Sequence, residues 1–245
     1  MSDSAGTPWT GRTLPTGDFA GDDGAADPAL VDALGVAGAG FADDSLVVAA
    51  VAAARLFVAV VAVLGEGEQT RHGTADLPVD KAADMALVTL TGPDGRRALP
   101  VFSSITALSS WDASARPVPV DARRAAVSAV AEGCELMVLD VAGPVTYVVS
   151  RPALWAIGAG RGWQPAHRDD DVLAAIGAAV APHPDVLRFG AGPGRQTQLL
   201  VTLVMREGLA AEQVQALAQK VGAALQSDDV VRERVDGLEL SVERG

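Results

Sequence analysis

Apolar and polar positions divide the chain into stretches of different period. Residues 46–64, LVVAAVAAARLFVAVVAVL, are apolar except for Arg55 near the middle. The first half is Ala-rich and predicts a helix, whereas the Val-rich run 56–64 predicts a buried strand. The length approaches a membrane span. Inserting Arg55 at a bilayer centre would cost about 2.5–3.5 kcal/mol, however. Acids flank both ends (Asp43, Asp44, Glu66, Glu68) with no basic cluster to mark a cytoplasmic side. A helix feeding a core strand is therefore expected, and no membrane association.

Further along, residues 84–91 and 97–102 read as two strands joined by Gly92-Pro93-Asp94-Gly95, a hairpin signal. Ser103 can cap a short helix through Trp111, and residues 117–120 form a short extended piece. Asp121 suits the N-cap of a helix over 122–132, stopped by Gly133. Residues 134–141 and 145–149 predict two more strands. Ser150 then precedes a helix with Pro152 in its first turn. After the Gly-rich stretch 158–168, Asp169-Asp170-Asp171 opens a helix through Val180. Residues 186–189 and 198–205 form a second hairpin, followed by an amphipathic helix over 210–225 and an alternating strand, 238–242.

These elements predict an α+β fold: a mixed sheet with flanking helices, followed by a smaller β-β-α-β domain. The expected division is an acidic arm over 1–40, disordered over roughly its first 25 residues, a domain over 41–160, a linker over 161–168 and a small domain over 169–245. The arm lacks the basic start and apolar core of a secretory signal.

Charge narrows the partners. The chain has 19 Lys+Arg and 31 Asp+Glu, net −12. Eight Asp and one Arg within residues 1–44 supply −7 of it. That balance works against nucleic acid and anionic membranes. A single cysteine excludes an internal disulfide, and three scattered histidines offer little to a metal.

The catalytic signals are weak. Gly190-x-Gly192-x-Gly194 precedes a strand-like run rather than a helix, so it reads as a turn and not a phosphate loop. No G-x-S-x-G elbow occurs, and Ser103-Ser104 has no histidine nearby in sequence. His72, His167 and His183 fall in loop or turn positions, Cys134 begins a core strand, and the Asp169–Asp171 run reads as a cap rather than a cation site. No cofactor or metal is expected. Among the tryptophans, Trp111 and Trp155 read as internal plugs, while Trp163 is open between plug and partner anchor.

Several blocks resemble the N-terminal domain of the SseB family over about residues 50–160. They are Arg55-Leu56-Phe57-Val58, Asp80-Lys81 through Ala86, the hairpin from Asp94 to Ser103 followed by Trp111-Asp112, and Arg151-Pro152-Ala153-Leu154-Trp155. The C-terminal stretch resembles the family's appended domain only loosely. The resemblance implies a link to serine sensitivity and brings no catalytic residue. The first reading is thus a non-catalytic cytoplasmic regulatory module that binds a protein partner, with Arg96, Arg97 and Trp163 as the candidate surface. The alternatives are a small-metabolite binder and an enzyme whose site gathers a histidine with Asp80, Asp84 or Asp140. A homo-oligomer is compatible with all three.

Overall fold

The computed structural model describes Phe19 and residues 21–38, 44–63, 84–195 and 197–245. Trp9, His72 and the block at residues 80–83 lie outside the described residues, as does the expected arm up to residue 18.

The arm does not extend to residue 40. Asp27 Oδ1 accepts from the N–H groups of Ala29 (2.8 Å) and Leu30 (3.3 Å), and Pro28 opens helix α1 (Pro28–Gly38). Leu30 and Leu34, one turn apart, are buried in the same core as Val47 and Val51 of helix α2 (Asp44–Ala53). The Gly- and Asp-rich composition hides this pair of leucines, which is enough to seat one helix face.

The apolar run 46–64 divides as expected. Helix α2 ends at Ala53 and strand β1 (Arg55–Val63) follows. No helix among the described residues is long and apolar enough to cross a membrane. Strand β1 is central to the first sheet, which also contains β2 (Asp84–Leu87), β3 (Leu90–Thr91) and β4 (Arg97–Phe102). The hairpin is shorter than predicted. Only β3 pairs with β4, through Leu90↔Ala98 and Thr91↔Arg97, because β2 pairs with β1 instead. The Val88 N–H donates to Ala59 O where the two strands part. Gly95, at φ +83°, closes the turn.

Helix α3 (Ile105–Trp111) follows, and Ser104 rather than Ser103 is its cap: Ser104 Oγ accepts from Ala107 N at 3.0 Å. The extended piece at 117–120 is a full strand, β5 (Arg116–Asp121), antiparallel to β1 with Leu56↔Val120 and Val58↔Val118 in register. Strands β5 and β2 pair with residues 55–60 and 60–63 of β1, and Val60 pairs with both. Pro117 and Pro119 cannot donate, so strand alternation leaves the N–H groups of Val118 and Val120 facing β1 and few donors on the outer edge.

Helix α4 (Ala122–Ala131) is capped by Asp121, whose Oδ1 accepts from Arg124 N at 2.7 Å. Strands β6 (Leu136–Leu139) and β7 (Tyr147–Val149) complete the sheet, β6 lying parallel to β4. Both are shorter than the predicted runs. Helix α5 (Arg151–Ala159) ends at Gly160 in the left-handed region, φ +67°. Both faces of the sheet are covered. Leu56, Val58, Leu99, Val101 and Met137 face α1, α2, α4 and α5, while Phe57, Ala59 and Phe102 meet Leu108 and Trp111 of α3 on the other side. Trp111 is an internal plug, 5.3 Å from the Phe102 ring.

A separate core lies C-terminal to this. A 3-10 turn (Ala166–Arg168) leads into α6 (Asp170–Val180), then β8 (Val186–Gly192) and β9 (Leu199–Met205). Gly190 and Gly192 belong to strand β8, which runs past the expected end at residue 189, so the first part of the expected turn is strand. Helix α7 (Ala211–Ser227), the unforeseen helix α8 (Asp229–Arg234) and β10 (Leu238–Arg244) follow. Strand β10 returns parallel to β9 through the α7–α8 crossover, giving the order β10-β9-β8. Leu199, Val201, Leu203 and Met205 bury one face of β9 against Ile176, Val221 and Leu225. The whole is an α+β fold of two sheets.

Candidate functional site

The two units meet along a polar seam. Arg151, at the start of α5, and Asp236, in the turn before β10, lie at its centre. Asp236 receives two guanidinium groups from the first unit, Arg96 (Nη1–Oδ2, 2.8 Å) and Arg151 (Nε–Oδ1, 3.5 Å). Its own N–H donates to Gln198 Oε1 at 3.0 Å, and Gln198 Nε2 donates to Ser150 Oγ at 3.3 Å. Arg151 Nη2 also donates to the carbonyls of Arg232 (3.3 Å) and Val235 (3.2 Å). Farther along, Arg161 pairs with Glu233 at 3.2 Å.

Helical spacing places Trp155 one turn beyond Arg151. The guanidinium carbon lies 5.3 Å from the indole centroid, within cation–π range. Trp155 is 39% exposed, which corrects its reading as an internal plug. It faces an open groove of about 730 Å3 lined by Arg151, Gln226, Asp229, Arg232, Glu233 and Asp236. Trp155 also reaches a smaller cavity of about 230 Å3 with Pro152, Trp163 and Arg234. A third, of about 410 Å3, joins Arg96, Glu135, Arg151, Thr197 and Asp236. Shared lining residues make these one continuous seam.

Arg96 and Trp163 therefore stand at opposite ends of the same seam. Arg96 is held by Asp94 at 2.6 Å as well as by Asp236. The hydrogen bond that Arg96 donates to Asp94, with the Asp236 charge, raises the Arg96 pKa despite partial burial, and the same bond lowers that of Asp94. The hairpin charge is thus engaged within the chain. Arg97, the next residue on a strand, points elsewhere and donates to Thr89 Oγ1 at 3.2 Å. Trp163 is half-buried against the first core. Arg151, Trp155 and Asp236, which line the groove, are not among the site residues that the sequence suggests. The i, i+4 spacing of Arg151 and Trp155 was a usable signal, whereas nothing local marks Asp236.

The residues considered for chemistry have structural partners. Asp169 caps α6 through Asp171 N (3.0 Å) and Val172 N (3.3 Å). It also binds Arg234 at 3.0 Å, and this bond with the Asp169 charge raises the Arg234 pKa. Asp140 is buried at φ +52°, and its Oδ1 accepts from Ser103 N at 2.8 Å. Burial pushes the Cys134 thiol up, outweighing the nearby Arg97 charge. No group of three or more His, Cys, Asp or Glu among the described residues could hold a metal. Neither His167 nor His183 lines the seam.

Fold and site together define a two-unit α+β protein with an ion-paired groove at the junction. A family model described as the SseB protein N-terminal domain matches residues 28–156, more than half the chain, and the chain belongs to the SseB family. The match includes Arg96, Arg151 and Trp155 and stops short of Trp163 and Asp236. No curated protein and no solved structure matches the chain.

Proposed function

We propose that this protein is a non-catalytic cytoplasmic regulatory module that binds a protein partner along the seam, with Trp155 as the anchor. The observation that carries the reading is a partly exposed indole beneath a guanidinium in the middle of an open groove. Tryptophan and arginine dominate the energetics of protein interfaces, and an indole already held by packing costs little entropy to bind. The partner segment would lay an apolar side chain on Trp155 and satisfy the polar groups of Arg232 and Gln226 at the rim. Any role in serine sensitivity would then run through that partner.

The groove size supports a second reading, a small-metabolite site, since ligand sites favour domain junctions and span about 300–1,000 Å3. A pull-down with wild type, Trp155→Ala and Arg97→Glu separates the surfaces. Trp155→Ala is expected to weaken partner recovery by about tenfold or more, as loss of an interface anchor does. Arg97→Glu, off the seam, should leave recovery unchanged. Undiminished recovery by Trp155→Ala would remove the seam from consideration. A saturable rise in melting temperature with a metabolite, lost in Trp155→Ala, would favour the second reading.

A further inference from the structure

We infer that the C-terminal unit contains a second site, independent of the seam, that takes a small aliphatic carboxylate. A cavity of about 310 Å3 opens at the carboxyl ends of the parallel strands β9 and β10, beside the first turns of α7. In sheets with parallel strands joined by helices, this is the end at which ligands are held. The wall is largely apolar, formed chiefly by Leu209, Val214, Ala218 and Val242, and its polar side chains are Arg206, Gln215 and Arg244.

Charge indicates the class of ligand. In a chain with 31 acidic and 19 basic residues, this cavity is lined by two arginines and no carboxylate. Each seam cavity, by contrast, includes at least two acids. Strand alternation puts Leu240, Val242 and Arg244 on the β10 face toward α7 and turns Glu243 away. The contact that a side chain at Gly222 of α7 would make with Leu240 fixes that face. Arg244 is exposed and makes no ion pair among the described residues. Arg206 has an exposed partner, Asp185, at 3.3 Å, and donates to Pro184 O at 3.3 Å. A guanidinium has five N–H donors, so it retains some for a ligand. A short apolar tail against Leu209, Val214 and Val242, with its carboxylate between the two arginines, satisfies both halves of the site. The volume lies at the small end of the range for ligand sites, so the tail is short.

Calorimetric titration of the full chain with sodium octanoate tests this. Octanol supplies the same tail without charge, and acetate the charge without the tail. Octanoate is expected to bind saturably, with octanol and acetate about tenfold or more weaker. Arg244→Gln should weaken octanoate about tenfold, the loss of a charge-assisted hydrogen bond. Ala218→Trp should fill the cavity and abolish binding, while Trp155→Ala should bind octanoate as wild type does. Equal binding of octanol, undiminished binding by Arg244→Gln, or no octanoate binding by the wild type would overturn the assignment. Arg244 is exposed, so Arg244→Gln decides the matter even if Ala218→Trp does not fold.

Discussion

Arg55→Ala is expected to destabilise the first unit by about 3 kcal/mol, lowering its melting temperature by about 6–12 °C. Arg55 interrupts the most apolar stretch of the chain, yet its side chain is only 14% exposed. It binds Asp22 at 2.6 Å, donates to Ser103 O at 2.8 Å and to Ala25 O, and lies 4.2 Å over the Phe57 ring. The side chain thereby clamps the segment leading into α1 to the start of β1 and the end of β4. Truncation would leave a carboxylate and two carbonyls without their donor, and this sets the magnitude.

The clamp also has a pH signature. Burial pushes the Asp22 carboxyl up, but the Gly24 N–H and the Arg55 guanidinium together outweigh it and hold the pKa below its ordinary value. A lowered folded pKa adds stability that is complete above the unfolded value, about 3.9, and is lost as pH falls through the folded value. Urea unfolding of wild type and Arg55→Ala from pH 3 to pH 7 would show this. The difference between the two should narrow toward the acid end. A difference under about 0.5 kcal/mol at pH 7, the range of ordinary surface changes, would contradict the clamp.

Asp236→Ala is expected to loosen the seam while leaving both cores folded. No helix or strand of one unit packs broadly on an element of the other among the described residues. The units are therefore joined by the Arg96 and Arg151 contacts of Asp236, with Gln198–Ser150, the Arg151 bonds to the carbonyls of Arg232 and Val235, and Arg161–Glu233 in support. Loss of two guanidinium contacts should make opening about tenfold more frequent, equivalent to roughly 1.4 kcal/mol. Trypsin should then cut after Arg161 or Arg168 about tenfold faster than in wild type. An unchanged cutting rate, or a first cut within residues 84–150, would contradict a seam held by Asp236.

Much of this fold is legible where local signals agree. The Ala-to-Val change at residue 55 marks the end of α2 and the start of β1, and Asp121 and Asp169 announce α4 and α6. Helix α1 was hidden because two leucines in an acidic, Gly-rich stretch look insufficient until a core is present to receive them. The division of residues 84–91 between β1 and β4 is a tertiary choice that strand propensity does not encode. The same applies to the site. Arg96 and Trp163 could be chosen as unusual residues, but the placement of Arg96 on the seam is set by Asp236, 140 residues away.

Photo-crosslinking through residue 155 tests the central claim most directly. A benzophenone amino acid placed at Trp155, irradiated in cells, is predicted to give discrete adducts with a partner protein. The same group at Val127, exposed on α4 and outside the groove lining, should give none. Adducts at position 127 with none at 155 would contradict a partner bound along the seam.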